Sequence, residues 1–332
     1  MTAEWLRESI KDTPVHDENA RSIVQDRVNN ILRPVGALQK LDDIAIWMSG
    51  WQATTHPKVS TPVALIFAAD HGVAVSTSVS AYPTKVTAAM LKAYQSGKST
   101  LSAFAKIAGA TVRAVDVGVG RPTQDIQYDA AMSDQRFDEA LTAGRDAVDR
   151  LDGDLLVIGE MGIGNTTVAA AITATLLGGE TNSWVGRGTG VDQQGYLRKC
   201  LAVERAVKRV EKIKDPIEIL RQVGGAEIAA MTAAIVAARM KRLPVVIDGY
   251  VVTSAALVLH QISSGLLDHC LFSHCSAESG HRKVLEYLDK PYLLDLNMRL
   301  GEGSGAMAAV PLIAMACAGV TDVPTFQEWF NG

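Results

Sequence analysis

Six short apolar runs, each stopping at a glycine, an acid or a hydroxyl–histidine pair and then entering a helical stretch, restrict this 332-residue chain to very few architectures. The runs occupy 63–69 before Asp70-His71-Gly72, 111–115 before Asp116, 155–158 before Gly159-Glu160, 245–247 before Asp248-Gly249, 270–272 before Ser273-His274 and 292–294 before Asp295. A strand apolar on both faces is buried on both faces, and strands that alternate with helices are joined by crossovers. The pattern predicts an α/β fold with a mostly parallel, doubly wound sheet. In such sheets ligands bind beyond the carboxyl ends of the strands. Asp70, Asp116, Glu160, Asp248, His274 and Asp295 are expected there.

Residues 1–60 differ in kind. Charged helical periodicity runs over 20–32 and 38–48, with Pro34 and Gly36 between, and three of the five tryptophans (Trp5, Trp47 and Trp51) fall here. We expect a small helical subdomain at 1–60, with 320–332 as a candidate addition, beside a Rossmann-like catalytic domain at 61–319. Lys+Arg number 32 against 36 Asp+Glu, a net charge of −4 that offers no basic excess for nucleic acid. The longest uncharged apolar stretch, 305–320, is alanine-rich, contains Pro311 and is shorter than the ~20 residues of a membrane span, which predicts a buried helix. No apolar segment stands behind a basic cap at the N-terminus, so no secretory signal is expected and the cytoplasm is the default.

Four cysteines suggest reduced, buried thiols rather than a disulfide framework. The segment HCLFSHC at 269–275 has metal-site composition. On a strand, however, Cys270 and His274 stand ~13 Å apart at 3.3 Å per residue, too far to share one zinc. No metal or other cofactor is expected.

Three glycine-rich loops carry the chemistry. GEMGIGNTT at 159–167 runs from a strand into a helix, and its glycines with Asn165 and Thr166 offer N–H groups and hydroxyls to an anion; an ordinary capped turn fits the spacing equally well. GRGTGVD at 186–192 adds Arg187 and Gly188, with Arg198 and Lys199 on the next helix as further cations for a phosphate or carboxylate. In RLGEGSG at 299–305 a carboxylate, Glu302, sits among Gly301, Gly303 and Gly305, an unfavourable helix start unless backbone must approach something closely. Beside an apolar helix its pKa is expected to rise toward neutrality, which suits a general base. GKST at 97–100 lacks both the leading glycine and the preceding strand of a P-loop.

With these loops in order, the sequence resembles the nicotinate-nucleotide:dimethylbenzimidazole phosphoribosyltransferases of cobalamin lower-ligand assembly. The resemblance rests on FAADHG (67–72), VSAYP (79–83), GEMGIGNTT (159–167), GGAEIAAM (224–231), SHCSAESGH (273–281) and LDLNMRLGEGSG (294–305), with RPVGALQKL (33–41) as a weaker match. It implies transfer of phosphoribose from nicotinate mononucleotide to a benzimidazole nitrogen, with Glu302 as base. It also implies a second carboxylate at Glu160, and a nucleotide site from Gly162, Gly164, Asn165, Thr166, Arg187, Gly188, Lys199, Ser276 and Gly303. Ser80, Tyr82, Lys85, Met298 and Leu300 would border the base, and the chain would form a homodimer. Because the leaving group is a pyridinium that departs as a neutral ring nitrogen, no magnesium is needed. Thr84-Lys85 stand where the family commonly shows Gln-Glu, which suggests broader acceptor use, including other benzimidazoles, purines and phenols; the alternative is that Lys85 points to solvent and changes nothing. A non-catalytic partner of an active paralogue, and a metal-dependent enzyme using Asp70, His71 and Asp248, are the alternatives.

Overall fold

The computed structural model describes residues 3–331; residues 1, 2 and 332, at the edges of the expected N-terminal subdomain, lie outside them. All six apolar runs are strands: β1 (Pro62–Ala69), β2 (Thr111–Gly118), β3 (Leu155–Met161), β4 (Val245–Ile247), β5 (Cys270–His274) and β6 (Tyr292–Leu294). They form one parallel sheet in the order β2-β1-β3-β4-β5-β6. β1 has β2 on one side and β3 on the other, so the winding reverses there and opens a crevice at the carboxyl ends of β1 and β3.

The two faces follow the period of the strand. Val63, Leu65 and Phe67 with Leu156 and Ile158 join the core under the Asp134–Asp149, Asn165–Leu177, Ala226–Met240 and Tyr250–Ile262 helices. Ala64, Ile66 and Ala68 with Leu155 and Val157 join the opposite core, which includes Leu91, Leu101, Met307 and Ile313. Burial on both faces holds for β1, β3 and β4 but not for the edges: β2 is exposed or half-buried except at Val117, and β6 is half-buried throughout. An edge strand has one neighbour, so Arg113 and Asp116 are tolerated within β2.

The Ser304–Thr321 helix has the length and composition of a membrane span, yet 56% of its apolar window is buried, and it packs against the Lys40–Gln52 and Thr100–Ala108 helices. At its far end a third, small core gathers Val24, Val28, Ile31, Ala45, Ile46 and Val320. Trp51 is 1% exposed, and the indoles of Trp47 and Trp51 both donate to the carbonyl of Asp268, at 2.8 and 3.0 Å. These two tryptophans are therefore buried or hydrogen-bonded within the protomer, and their need for burial gives no warrant for a dimer. All four cysteines are free.

Candidate active site

A cavity of about 640 Å³ opens at the carboxyl ends of β3, β4 and β5. Its floor carries two carboxylates that reach it differently. Glu160 is on β3 and 7% exposed, and its carboxylate accepts from the side-chain amide of Asn165 at the start of the next helix. Glu302 lies on a turn in which Gly301 (φ +77°), Glu302 (φ +63°) and Gly303 (φ +77°) are all left-handed. That conformation is natural for the two glycines and strained for the glutamate, the kind of cost that persists where a side chain must be aimed.

Asp248, at the end of β4 and fully buried, holds this turn. One carboxylate oxygen accepts from Gly303 N–H at 3.0 Å and the other from Ala306 N–H at 2.8 Å, so a remote acid caps the Ser304–Thr321 helix. Beneath the same helix start lies His274, whose Nδ1 is 2.9 Å from Ser273 Oγ and 3.8 Å from Asp248. On the other wall, Gly162 rests on His71: a Cβ there would stand 2.6 Å from the imidazole Nε2. Behind the Asn165–Leu177 helix start, Lys199 is 1% exposed and donates from Nζ to Thr166 Oγ1 at 2.9 Å.

Burial is the chief cause of the charge behaviour. Glu160 is pushed from 4.5 to about 8, first by desolvation and then by the charges of Asp248, Glu227 and Glu302. Glu302 is also raised by desolvation, with Asp248 adding and Tyr94 opposing. Lys199 falls to about 8 because it too is desolvated, while Glu278 supports its charge. Such displaced values, in one concave site, are what acid–base chemistry and anion capture require.

Of the residues singled out in the sequence, Glu160, Glu302, Gly162, Asn165, Thr166, Gly188, Ser276, Tyr82 and Leu300 line the cavity. Gly164, Gly303 and Lys199 lie directly behind that lining, as N-caps of the two helices and as the partner of Thr166. Ser80 stands outside, 2.9 Å from Thr189, which does line it. Lys85 is exposed at the first turn of the Lys85–Gln95 helix, and Met298 contributes its carbonyl to Ala277 N–H. Arg187 is exposed and engaged with the Val191 carbonyl and Gln193. Asp116 and Asp295 do not converge either, because β2 and β6 are the sheet edges; Asp295 pairs with Arg282 at 2.8 Å on the surface. Val86, Met90, Glu278 and Tyr94 were not singled out. The first two form an apolar helical stripe, Glu278 sits within a matched motif, and Tyr94 gives no local signal. Among the described residues no three His, Cys, Asp or Glu side chains converge as a metal site.

A family model described as phosphoribosyltransferase matches residues 13–329. The nicotinate-nucleotide–dimethylbenzimidazole phosphoribosyltransferase of Methylocella silvestris is 44% identical over 324 residues, 97% of this chain and 94% of that one. The protein of the same name from Methylorubrum extorquens is 44% identical over 327 residues, 98% of this chain and 95% of that one. The crystal structure of CobT from Thermus thermophilus superposes with a TM-score of 0.89 at 37% identity, covering 94% of this chain and 98% of that one. Sequence, fold and the paired carboxylates agree: the chain belongs to this phosphoribosyltransferase family.

Proposed function

We propose that the chain transfers phosphoribose from nicotinate mononucleotide to 5,6-dimethylbenzimidazole or a related base, giving α-ribazole 5′-phosphate and nicotinate. One observation carries it: a buried carboxylate on a strained turn, Glu302, shares a cavity with a glycine-rich helix start backed by a buried lysine. The phosphate is held at the Gly162–Asn165 turn by the helix dipole, the Thr166 hydroxyl and Lys199. The acceptor lies against Val86, Met90 and Leu300, with its N–H toward Glu302. The acceptor's lone-pair nitrogen forms the new bond to C1′ while the C1′–pyridinium bond breaks. Nicotinate leaves with that electron pair on its ring nitrogen, and Glu302 takes the proton from the acceptor's other nitrogen. Charge developing on the ribose faces the floor carboxylates. Glu160, protonated near neutrality when alone, loses its proton more readily beside the pyridinium cation.

The two substrates are small molecules, and the cytoplasm is the compartment we infer, supported by the four free cysteines. A homodimer is supported by the exposed Val75, Tyr82, Leu197 and Leu201 on segments beside the cavity mouth; a monomer in light scattering removes it. We also infer a helical subdomain of 1–60 with 320–332, supported by the separate small core. The function is tested by incubating the purified chain alone with both substrates: ribazole phosphate and nicotinate should appear in equal amounts. No turnover without a second protein would instead make it a partner subunit.

A further inference from the structure

The Lys85–Gln95 helix presents Val86, Met90 and Tyr94 on one face, four residues apart. Val86 and Met90 line the cavity. Tyr94 lies one turn further along, 3% exposed, in the core that also holds Ile66 and Leu101. Those two side chains are the ones on which Gly303 of the base-carrying turn rests. The tyrosine hydroxyl is fully buried, has no hydrogen-bond partner at good geometry among the described residues, and faces Glu302 and Glu160. A phenylalanine would fill the same space without burying an unpaired hydroxyl. A hydroxyl kept at that cost, beside a strained carboxylate, has a task outside packing.

We infer that Tyr94 is a positioning residue for the reaction: its hydroxyl closes onto the Glu302 carboxylate, fixes its orientation and favours its ionised form. This rests on Glu302 being the base. The groups around Glu302 set the sign. Desolvation and Asp248 raise its pKa, and the Tyr94 hydroxyl is the one opposing influence. Glu160 faces the same hydroxyl and is itself raised by Asp248, Glu227 and Glu302. Burial and the Asp248 charge thus push Glu302 toward its protonated, inactive form, and Tyr94 alone works against them. Its phenol stays protonated throughout, because burial and both glutamates raise its own pKa far above the ordinary tyrosine value.

The test is the kcat/KM pH profile of Tyr94→Phe against wild type, with thermal melting of both. Without the hydroxyl the base titrates higher, so the acidic limb should move up by about one pH unit. That is roughly a tenfold loss on the acid side, shrinking at higher pH. KM for nicotinate mononucleotide should stay within about twofold, because the phosphate contacts are untouched. Melting should stay close to wild type, since phenylalanine fills the same space. Groups titrating on the substrate cancel in the comparison. Coincident acidic limbs would overturn the inference, as would a rate lowered equally at every pH together with a lower melting temperature, which marks a structural residue. Glu302→Gln separates the two levels: if it retains the wild-type rate, the base assignment fails and Tyr94 falls with it. If it is inactive while the Tyr94→Phe limbs coincide, only the role of Tyr94 fails.

Discussion

At the amino ends of the strands, acids and amides at the surface are paired with neighbouring backbone. Asp154, at the start of β3, accepts from the backbone N–H of Ser60 at 2.6 Å and of Thr61 at 3.0 Å, and Gln52 bridges Lys58 and Asp154 carbonyls. The Arg239 guanidinium stacks 4.3 Å over the Trp51 ring. At the carboxyl ends the balance is different. Glu160, Glu227, Asp248 and Glu302 are all buried within reach of one another's charge. His71 approaches Glu227 at 2.9 Å, both fully buried, yet neither has a hydrogen bond of good alignment. Like charges desolvated together oppose folding. One end of the sheet therefore settles its acids against backbone, and the other gathers desolvated carboxylates around a cavity. A second cavity of about 500 Å³ at the amino ends, beside Lys58 and Asp154, has no such group of carboxylates, so volume alone does not identify the site.

The contrast breaks most sharply at Glu302. Glu302→Gln keeps the turn and the size of the side chain but cannot take a proton, so turnover should fall by ~10² or more while melting stays close to wild type. A near wild-type rate moves the base to Glu160. Next is Lys199. Its removal in Lys199→Met takes away a desolvated cation, and KM for the nucleotide should rise ~10–100-fold, as expected for a lost charge-assisted contact. The sign of its pH dependence follows from its lowered pKa. Wild-type affinity for the mononucleotide should weaken as pH rises through about 8 and the ammonium deprotonates. Lys199→Met should lose that limb. If the riboside, which lacks the phosphate, shows the same limb in wild type, Lys199 does not meet the phosphate.

Much of this contrast is legible in the sequence, and its limits have physical causes. Period and punctuation give all six strands, because a buried parallel strand must be a continuous apolar run with a polar or glycine stop. Glycines flanking Glu302 mark the turn, since two left-handed neighbours leave little other choice. What stays hidden is convergence. Asp116 and Asp248 look alike in sequence, each an acid after an apolar run, yet Asp248 caps the turn that carries Glu302 whereas Asp116 binds its own loop at Gly118 N–H, 2.9 Å away. Only strand order separates them: β2 is an edge and β4 is central. Tyr94 is invisible for a related reason. An aromatic on an amphipathic helix reads as packing, and its hydroxyl acquires meaning only from a turn far along the chain.

At the quiet end of the sheet the expected effect is on stability alone. Asp154→Ala hands two exposed backbone N–H donors to water and should cost about 0.5–1.5 kcal/mol, read as a lower denaturation midpoint with an unchanged slope. Turnover per folded molecule should match wild type. A fall in kcat would show that the two ends of the sheet are coupled, and the division drawn above would have to be abandoned.

The smallest effect is expected at Lys85, where departure from the family pattern suggests altered acceptor choice. The lysine is exposed, opens the Lys85–Gln95 helix and does not line the cavity, so its charge reaches the acceptor only through water. Lys85→Glu would put an acid at a helix N-terminus, which stabilises by about 0.3–1 kcal/mol and leaves the cavity walls as they were. In competition between dimethylbenzimidazole, an unsubstituted benzimidazole, a purine and a phenol, product ratios of this variant should match wild type within about twofold, less than one lost methylene contact. Leu300→Ala is the contrasting case. Leu300 lines the cavity, and with the acceptor placed as proposed, shortening it removes apolar contact from the ring. Ratios should then move toward the smaller acceptors by ~10-fold, the scale of one or two methylene contacts. If Lys85→Glu moves the ratios and Leu300→Ala does not, specificity is set by the rim charge rather than by the apolar wall.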